Sequence, residues 1–308
     1  MRVVVLLLLL HVALPVHALA DQCREDIYLQ ILGAGGPELD DGRTSSGYQL
    51  WLNGQAKLLL DTGSGTSISF GDSGADFATV DAVLFSHLHT DHSADLPAFV
   101  KGAYFTGRNR DLYVIGPDGN HLMPATGEFV QRLFGKNGAF SYLSDYLYKG
   151  RERFQLHAVD ATEPGENAVF VKDFSWGLVA ALTVHHGPVP ALAWRVDVGH
   201  CRLVYSGDMS DNTQKLAGFA TGADLLMLHM AIPDNAHPVA QNLHMSPTQI
   251  AQIAKRVQPK KLLLSHFMKR SERHFNESLR LIRQQFHGEV IIAERLLTIP
   301  LSHSDGAE

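Results

Sequence analysis

The chain reads as an α+β fold, a layered sandwich with no doubly wound parallel sheet. Two observations predict it. A β-hairpin signal comes early, and buried β-like runs alternating with amphipathic helices come late. Asp26–Gly33 alternates as a first strand. Tyr48–Leu52 and Ala56–Leu60 then flank Asn53-Gly54, a dipeptide that accepts positive φ at both positions of a tight hairpin turn. Ala82–Phe85 and Leu112–Ile115 are short apolar strands. Leu178–Val184, Leu192–Val198 and Arg202–Tyr205 are β-rich with turn residues between them, and Leu225–Leu228 and Leu262–Leu264 are buried strands.

Two helices are legible. Ser246–Val257 opens on a capping box, with Ser246 as N-cap, Pro247 at the first turn and Gln249 three residues on. Ile250, Ile253, Ala254 and Val257 mark its apolar face. Ser271–Phe286 is a second amphipathic helix. Residues 135–172, rich in Gly, Tyr and charge, read as an irregular insertion or lid, and His303–Glu308 as a loose tail. No repeat or long linker divides the chain, so residues 21–302 form one domain.

The first twenty residues stand apart. Arg2, the apolar run Val3–Leu10 and the small-x-small ending Ala18-Leu19-Ala20 form a signal-peptide pattern with cleavage after Ala20. An uncleaved anchor is the alternative; Pro15, His11 and His17 argue against a good membrane span. Export places the protein in a periplasmic or secreted location, with no membrane attachment after cleavage. An oxidising compartment permits a Cys23–Cys201 disulfide, although Cys23 is equally compatible with a free thiol.

Composition narrows the function. With 45% hydrophobic and 19% charged residues, the chain is neither disordered nor coiled coil. Its net charge of −6 disfavours a nucleic-acid partner recruited by phosphate neutralisation. Two cysteines cannot build a zinc ribbon. The excess lies in histidine, with 17 residues.

Three of those histidines fall between His87 and His92, together with Asp91, directly after an apolar strand. His87 and His89 are two residues apart, so an extended strand end turns both rings to one side. Asp91 and His92 follow a turn and can face a neighbouring point. Two imidazoles can start one zinc site, and a carboxylate with an imidazole a second. A lone histidine is more often a satisfied polar residue, and a His-rich tract can simply scavenge metal. The bracketing strand and helix patterns disfavour both readings here. Three more strand ends offer donors: Val184-His185-His186-Gly187, Tyr205-Ser206-Gly207-Asp208 and Leu264-Ser265-His266.

These motifs resemble the metallo-β-lactamase superfamily, whose mark is H-x-H-x-D-H after a strand. Asp61-Thr62-Gly63 resembles its early-strand aspartate, which supports the site from behind. Ile31–Pro37 with Arg43, His186–Pro190, Ser206–Asp208 and Leu264–Phe267 with Arg270 resemble the ribonuclease Z and arylsulfatase-like phosphodiesterase branch. The resemblance implies a four-layer αββα sandwich. It implies His87, His89 and His186 on one Zn²⁺, and Asp91, His92 and His266 on a second. Asp208 would bridge the two, reaching both cations with its two oxygens. His186 is preferred to His185 because it directly precedes the Gly-x-x-Pro stretch. Mn²⁺ or Fe in one position is compatible with His/Asp donors.

The implied activity is hydrolysis of an ester by a hydroxide that the metal pair generates, with Asp91 orienting it. The branch pairs a His-Glu dipeptide with a downstream His-Ser/Thr as proton donor. Here His229 is followed by Met230, and His244 by Met245-Ser246. His244 is therefore either the general acid without its carboxylate partner or a plain helix-entry histidine; His229 is a weaker candidate. His157, His200, His274 and His287 read as surface or structural. Arg43 and Arg270 could meet an anionic group or sit in ion pairs. An exported, acidic chain with no long basic arm points to a small-molecule ester, such as a phosphodiester, phosphonate, aryl sulfate or lactone. The alternatives are a ribonuclease Z-like activity on RNA 3′ ends, or a silent metal-binding module. The branch often dimerises, so a homodimer is an open expectation.

Overall fold

A computed structural model describes residues 23, 26–148, 152–162, 170–210 and 213–302. The signal-peptide pattern and the C-terminal tail lie outside the described residues.

Fourteen strands form two seven-stranded sheets among the described residues. They are β1 (Ile27–Gly33), β2 (Gly47–Leu52), β3 (Gln55–Thr62), β4 (Ala82–Leu84), β5 (Leu112–Gly116), β6 (Leu156–Asp160), β7 (Phe170–Phe174), β8 (Gly177–His186), β9 (Val189–Val198), β10 (Cys201–Tyr205), β11 (Leu225–His229), β12 (Lys261–Ser265), β13 (Glu289–Ile292) and β14 (Thr298–Pro300). The first sheet runs β14-β1-β2-β3-β4-β5-β6 and the second β13-β12-β11-β10-β9-β8-β7. In each sheet antiparallel pairing at one side gives way to parallel pairing: β3 to β6 are parallel in the first, β10 to β13 in the second. The Asn53-Gly54 turn joins β2 and β3, with φ of 51° and 72° at its two positions.

Side-chain alternation shows why two layers stack on each other. In β3, Leu58 and Leu60 point into the core that also holds Val179, Trp194 and Leu203 of the second sheet. Leu59, one residue out of phase, joins a separate core with Phe70, Phe99 and Val130 from helices on the outer face. A strand that is apolar on both faces is what a sheet covered on both sides requires. Each such leucine contributes about 2 kcal/mol by burial.

Nine α-helices are described: α1 (Thr66–Asp72), α2 (Thr90–Ser93), α3 (Leu96–Ala103), α4 (Thr126–Phe134), α5 (Thr213–Phe219), α6 (Pro238–Gln241), α7 (Pro247–Val257), α8 (Lys269–Glu272) and α9 (Phe275–Gln285). α7 begins on the expected capping box: the Ser246 hydroxyl accepts from Gln249 N, and the Gln249 side chain accepts from Ser246 N at 2.9 Å. It ends at Gln258, whose φ of 49° breaks the helix just before Pro259. The architecture is the αββα sandwich.

Two expectations are corrected. Ser271–Phe286 is not one helix. Ser271 belongs to α8, where its hydroxyl bonds the backbone of Met268, and the chain breaks at Arg273-His274 before α9 starts. Residues 135–172 are not simply irregular. They include a 3₁₀ turn (Ser141–Leu147), β6 and the start of β7, and these two strands form the outer edges of the two sheets. A disulfide joins Cys23 to Cys201 at the start of β10.

Candidate metal centre

The site gathers where several strands end. β4 delivers the loop with His87, His89 and α2; β8 ends on His186; β10 leads into Asp208; β11 ends on His229; and β12 leads into His266. Strained backbone aims some of these groups. His266 has φ of 57° and Asp61 φ of 56°, a left-handed conformation costing a non-glycine residue about 1–3 kcal/mol. Gly207 turns the chain into Asp208 with φ of 56°, and a Cβ there would meet Ser86 Cβ at 2.5 Å. Only glycine lets the β4 and β10 ends approach so closely.

Two groups of donor atoms form. In the first, His87 Nε2 lies 3.1 Å from His89 Nδ1, and His186 Nε2 lies 3.4 Å from the same atom. In the second, His266 Nε2 lies 3.2 Å and His92 Nε2 3.5 Å from Asp91 Oδ2. Asp208 Oδ2 stands between the groups, 3.9 Å from His87 Nε2, 3.7 Å from His92 Nε2 and 3.6 Å from His266 Nε2. Zinc bonds of 2.0–2.1 Å in tetrahedral arrangement place neighbouring donor atoms about 3.3 Å apart, so both groups have cation-holding spacing. Asp208 meets both groups through Oδ2. Its other oxygen, Oδ1, is 2.7 Å from His229 Nδ1. His185, by contrast, is exposed and bonds Asn242.

Partners behind the rings fix which nitrogen faces inward. His186 Nδ1 donates to the Leu243 carbonyl at 2.7 Å, which leaves Nε2 as a lone pair. His92 Nδ1 is 2.7 Å from Asp61 Oδ2, and His92 Nε2 is buried with no hydrogen-bond partner. Such outer contacts orient imidazoles for metal.

Electrostatics point the same way. Burial pushes His87 and His89 down, helped at both by charge on His92, and holds His186 at about 4, so these rings present neutral nitrogens. Burial opposes charge at His92 and His266 as well, but carboxylates win: Asp91 and Asp61 raise His92, and Asp208 and Asp91 raise His266. Burial likewise opposes ionisation of Asp91 and Asp208, yet their imidazole neighbours hold both below the ordinary carboxylate range. The site therefore carries ionised carboxylates seeking positive charge, which protons on His92 and His266 supply here and cations can supply instead. The residues present fit a binuclear metal site.

His244 stands at the junction. Its Nδ1 is 3.5 Å from Asp208 Oδ2 and makes no hydrogen bond, and its ring centroid is 5.7 Å from His186 and 5.6 Å from His266. Met230 is fully buried, so no carboxylate stands in its place to support His244. Arg43 is tied to Glu272 at 2.5 Å, whereas Arg270 donates to the Ala231 carbonyl and the Met268 sulfur. His157 pairs with Asp111 and His274 with Glu277, both near the surface; His287 is exposed.

Sequence reasoning missed the hydroxyls behind the site. Tyr205 donates to Asp61 at 2.6 Å, as does Ser86 at 2.7 Å. Tyr48 reaches His229 and Ser265. Nothing in the local pattern marks a strand tyrosine as polar support. A cleft of about 470 Å³ opens beside Asp91, lined by Leu39, Arg43, Thr44, Ser64, Thr90 and Glu38.

Comparison with known proteins identifies the superfamily. Residues 57–267 match the family model described as the beta-lactamase superfamily domain, so the chain belongs to that superfamily. It is a metallo-β-lactamase-fold hydrolase, and its relatives include ribonuclease Z proteins. A ribonuclease Z of Clostridium perfringens is 25% identical over 280 residues, covering 77% of this chain and 87% of that protein. Among solved structures, the metallo-beta-lactamase fold protein YhfI of Bacillus subtilis superposes with a TM-score of 0.69 at 22% identity, covering 90% of this chain and 99% of that one. The short form of human tRNase Z gives 0.67 at 20% identity, covering 90% and 100%.

Proposed function

We propose that this protein is an exported binuclear zinc hydrolase that cleaves a small ester. The observation that carries the reading is the convergence of two donor groups on Asp208 Oδ2. His87, His89 and His186 would hold one metal, Asp91, His92 and His266 the other, and Asp208 would face both. Two such cations lower the pKa of water and polarise a substrate oxygen.

The protein's own groups do the rest. Asp91 lines the cleft and also faces the second donor group, so it is placed to orient an attacking water. The cleft's size suits a small molecule, and its hydroxyl lining suits a polar one. His244, with its ring centroid 5.7 Å from His186, is a further proton carrier at the site. Without a carboxylate of its own it gives weak support to a leaving group, which favours esters whose leaving group needs little protonation. The Cys23–Cys201 disulfide supports export, since such bonds persist in oxidising compartments.

The Clostridium perfringens relative favours a second reading, phosphodiester cleavage at RNA 3′ ends. A panel on zinc-loaded protein decides between them: bis-p-nitrophenyl phosphate, p-nitrophenyl sulfate, a lactone and a precursor tRNA. Turnover of a small ester with an inert tRNA is expected. Efficient tRNA cleavage would overturn the small-ester reading, and no turnover of any member would overturn the enzymatic one.

A further inference from the structure

His229 makes contacts that a proton donor would not need. It ends β11, is 1% exposed, and lies beside His92, Asp208 and His266. Its Nδ1 is 2.7 Å from Asp208 Oδ1. A carboxylate oxygen only accepts, so Nδ1 carries the proton and Nε2 is a lone pair. Tyr48 Oη lies 3.2 Å from that Nε2 and 2.7 Å from Ser265 Oγ. A phenol has one proton. With that proton given to His229, the phenol oxygen accepts from Ser265. Every proton in the chain Ser265–Tyr48–His229–Asp208 is then placed, and only one tautomer of His229 fits.

We propose that His229 is a positioning residue, resting on the two-metal reading above. It occupies Oδ1 of Asp208 and so would leave Oδ2 to face both metals, while Tyr48 and Ser265 hold its ring from behind. A carboxylate without that tether can rotate and chelate one cation with both oxygens, which uncouples the pair. His229 thus sets how the two metals are joined without touching either or the substrate.

The test is metal titration of chelator-treated full-length protein by calorimetry, with electron paramagnetic resonance of the manganese-loaded form to read coupling between the two ions. Wild type should bind two equivalents and show coupled manganese. His229→Leu should weaken the second equivalent roughly 10- to 100-fold and lose the coupling signal. His229→Asn, whose amide donates from the Nδ1 position, should stay within about 3-fold of wild type and keep the coupling. Tyr48→Phe, which removes the hydroxyl that holds the ring at Nε2, should fall between the two.

Wild-type affinity and coupling in His229→Leu would overturn the inference. So would equal damage in His229→Asn, because packing and not donation would then matter. Should the leucine variant not fold, wild-type behaviour in Tyr48→Phe would overturn it. A wild type that binds a single equivalent would instead bring down the two-metal reading itself.

Discussion

Asp61 and His92 form a fully buried pair, with Asp61 Oδ2 2.7 Å from His92 Nδ1. The same carboxylate accepts from Ser86 N, Ser86 Oγ and Tyr205 Oη. One acid at the end of β3 therefore holds together the β4 loop, α2 and β10. Asp61→Ala leaves those donors unpaired in the core and should cost about 3–5 kcal/mol, whereas Tyr205→Phe should cost about 1 kcal/mol. Urea unfolding of the two variants checks the order. Equal small losses would contradict the role given to Asp61.

The pH dependence of the metal-free protein follows from the histidines. His186 sits at about 4 in the fold against an ordinary 6.5, because burial disfavours its charge. A lowered folded value means stability that is present above pH 6.5 and lost as pH falls towards 4. His87, His89 and His229 shift the same way. His92 and His266 are raised, so their contribution is present at acid pH and lost only as pH rises. Four groups against two predict a net loss on acidification, with His186 alone giving about 2 kcal/mol between pH 7 and pH 5. A urea midpoint that does not change over that interval would refute this balance.

The Cys23–Cys201 bond joins residues 178 apart and ties the N-terminal segment to β10. Its removal by Cys201→Ser, or its reduction, should lower stability by about 2–4 kcal/mol. Thermal unfolding with and without reductant measures this, and identical curves would show that the bond carries no stabilisation.

His244 can be probed through the leaving group. If it donates a proton, His244→Ala should slow an alkyl ester at least about 10-fold more than a p-nitrophenyl ester, since p-nitrophenolate leaves unaided. Equal slowing of both would assign it to positioning alone.

Much of the site was legible because metal donors sit at abrupt ends of apolar strands. Val83, Leu84 and Phe85 announce His87, and the Leu262–Leu264 run announces His266. The Asn53-Gly54 turn was legible because few dipeptides accept two positive φ values. Other elements leave weak traces. α1, with sequence TSISFGD, has no side-chain cap, and its N-cap is Gly65. β7 is a half-exposed edge strand, so its pattern carries little apolar signal. The support behind the donors was the least legible part. His229 resembled a proton donor because it precedes the position where a glutamate was expected. Its contacts with Asp208 and Tyr48 come from strands distant in sequence.

Asp208 is where the two donor groups meet, so it carries the central claim. Metal content and bis-p-nitrophenyl phosphate hydrolysis, measured together on wild type and Asp208→Ala, test it most directly. Wild type should hold two zinc equivalents and turn over; Asp208→Ala should keep one at most and lose at least about 10³-fold in rate, the loss of several kcal/mol of charge stabilisation. An Asp208→Ala protein with two tightly bound zincs and wild-type turnover would contradict the account.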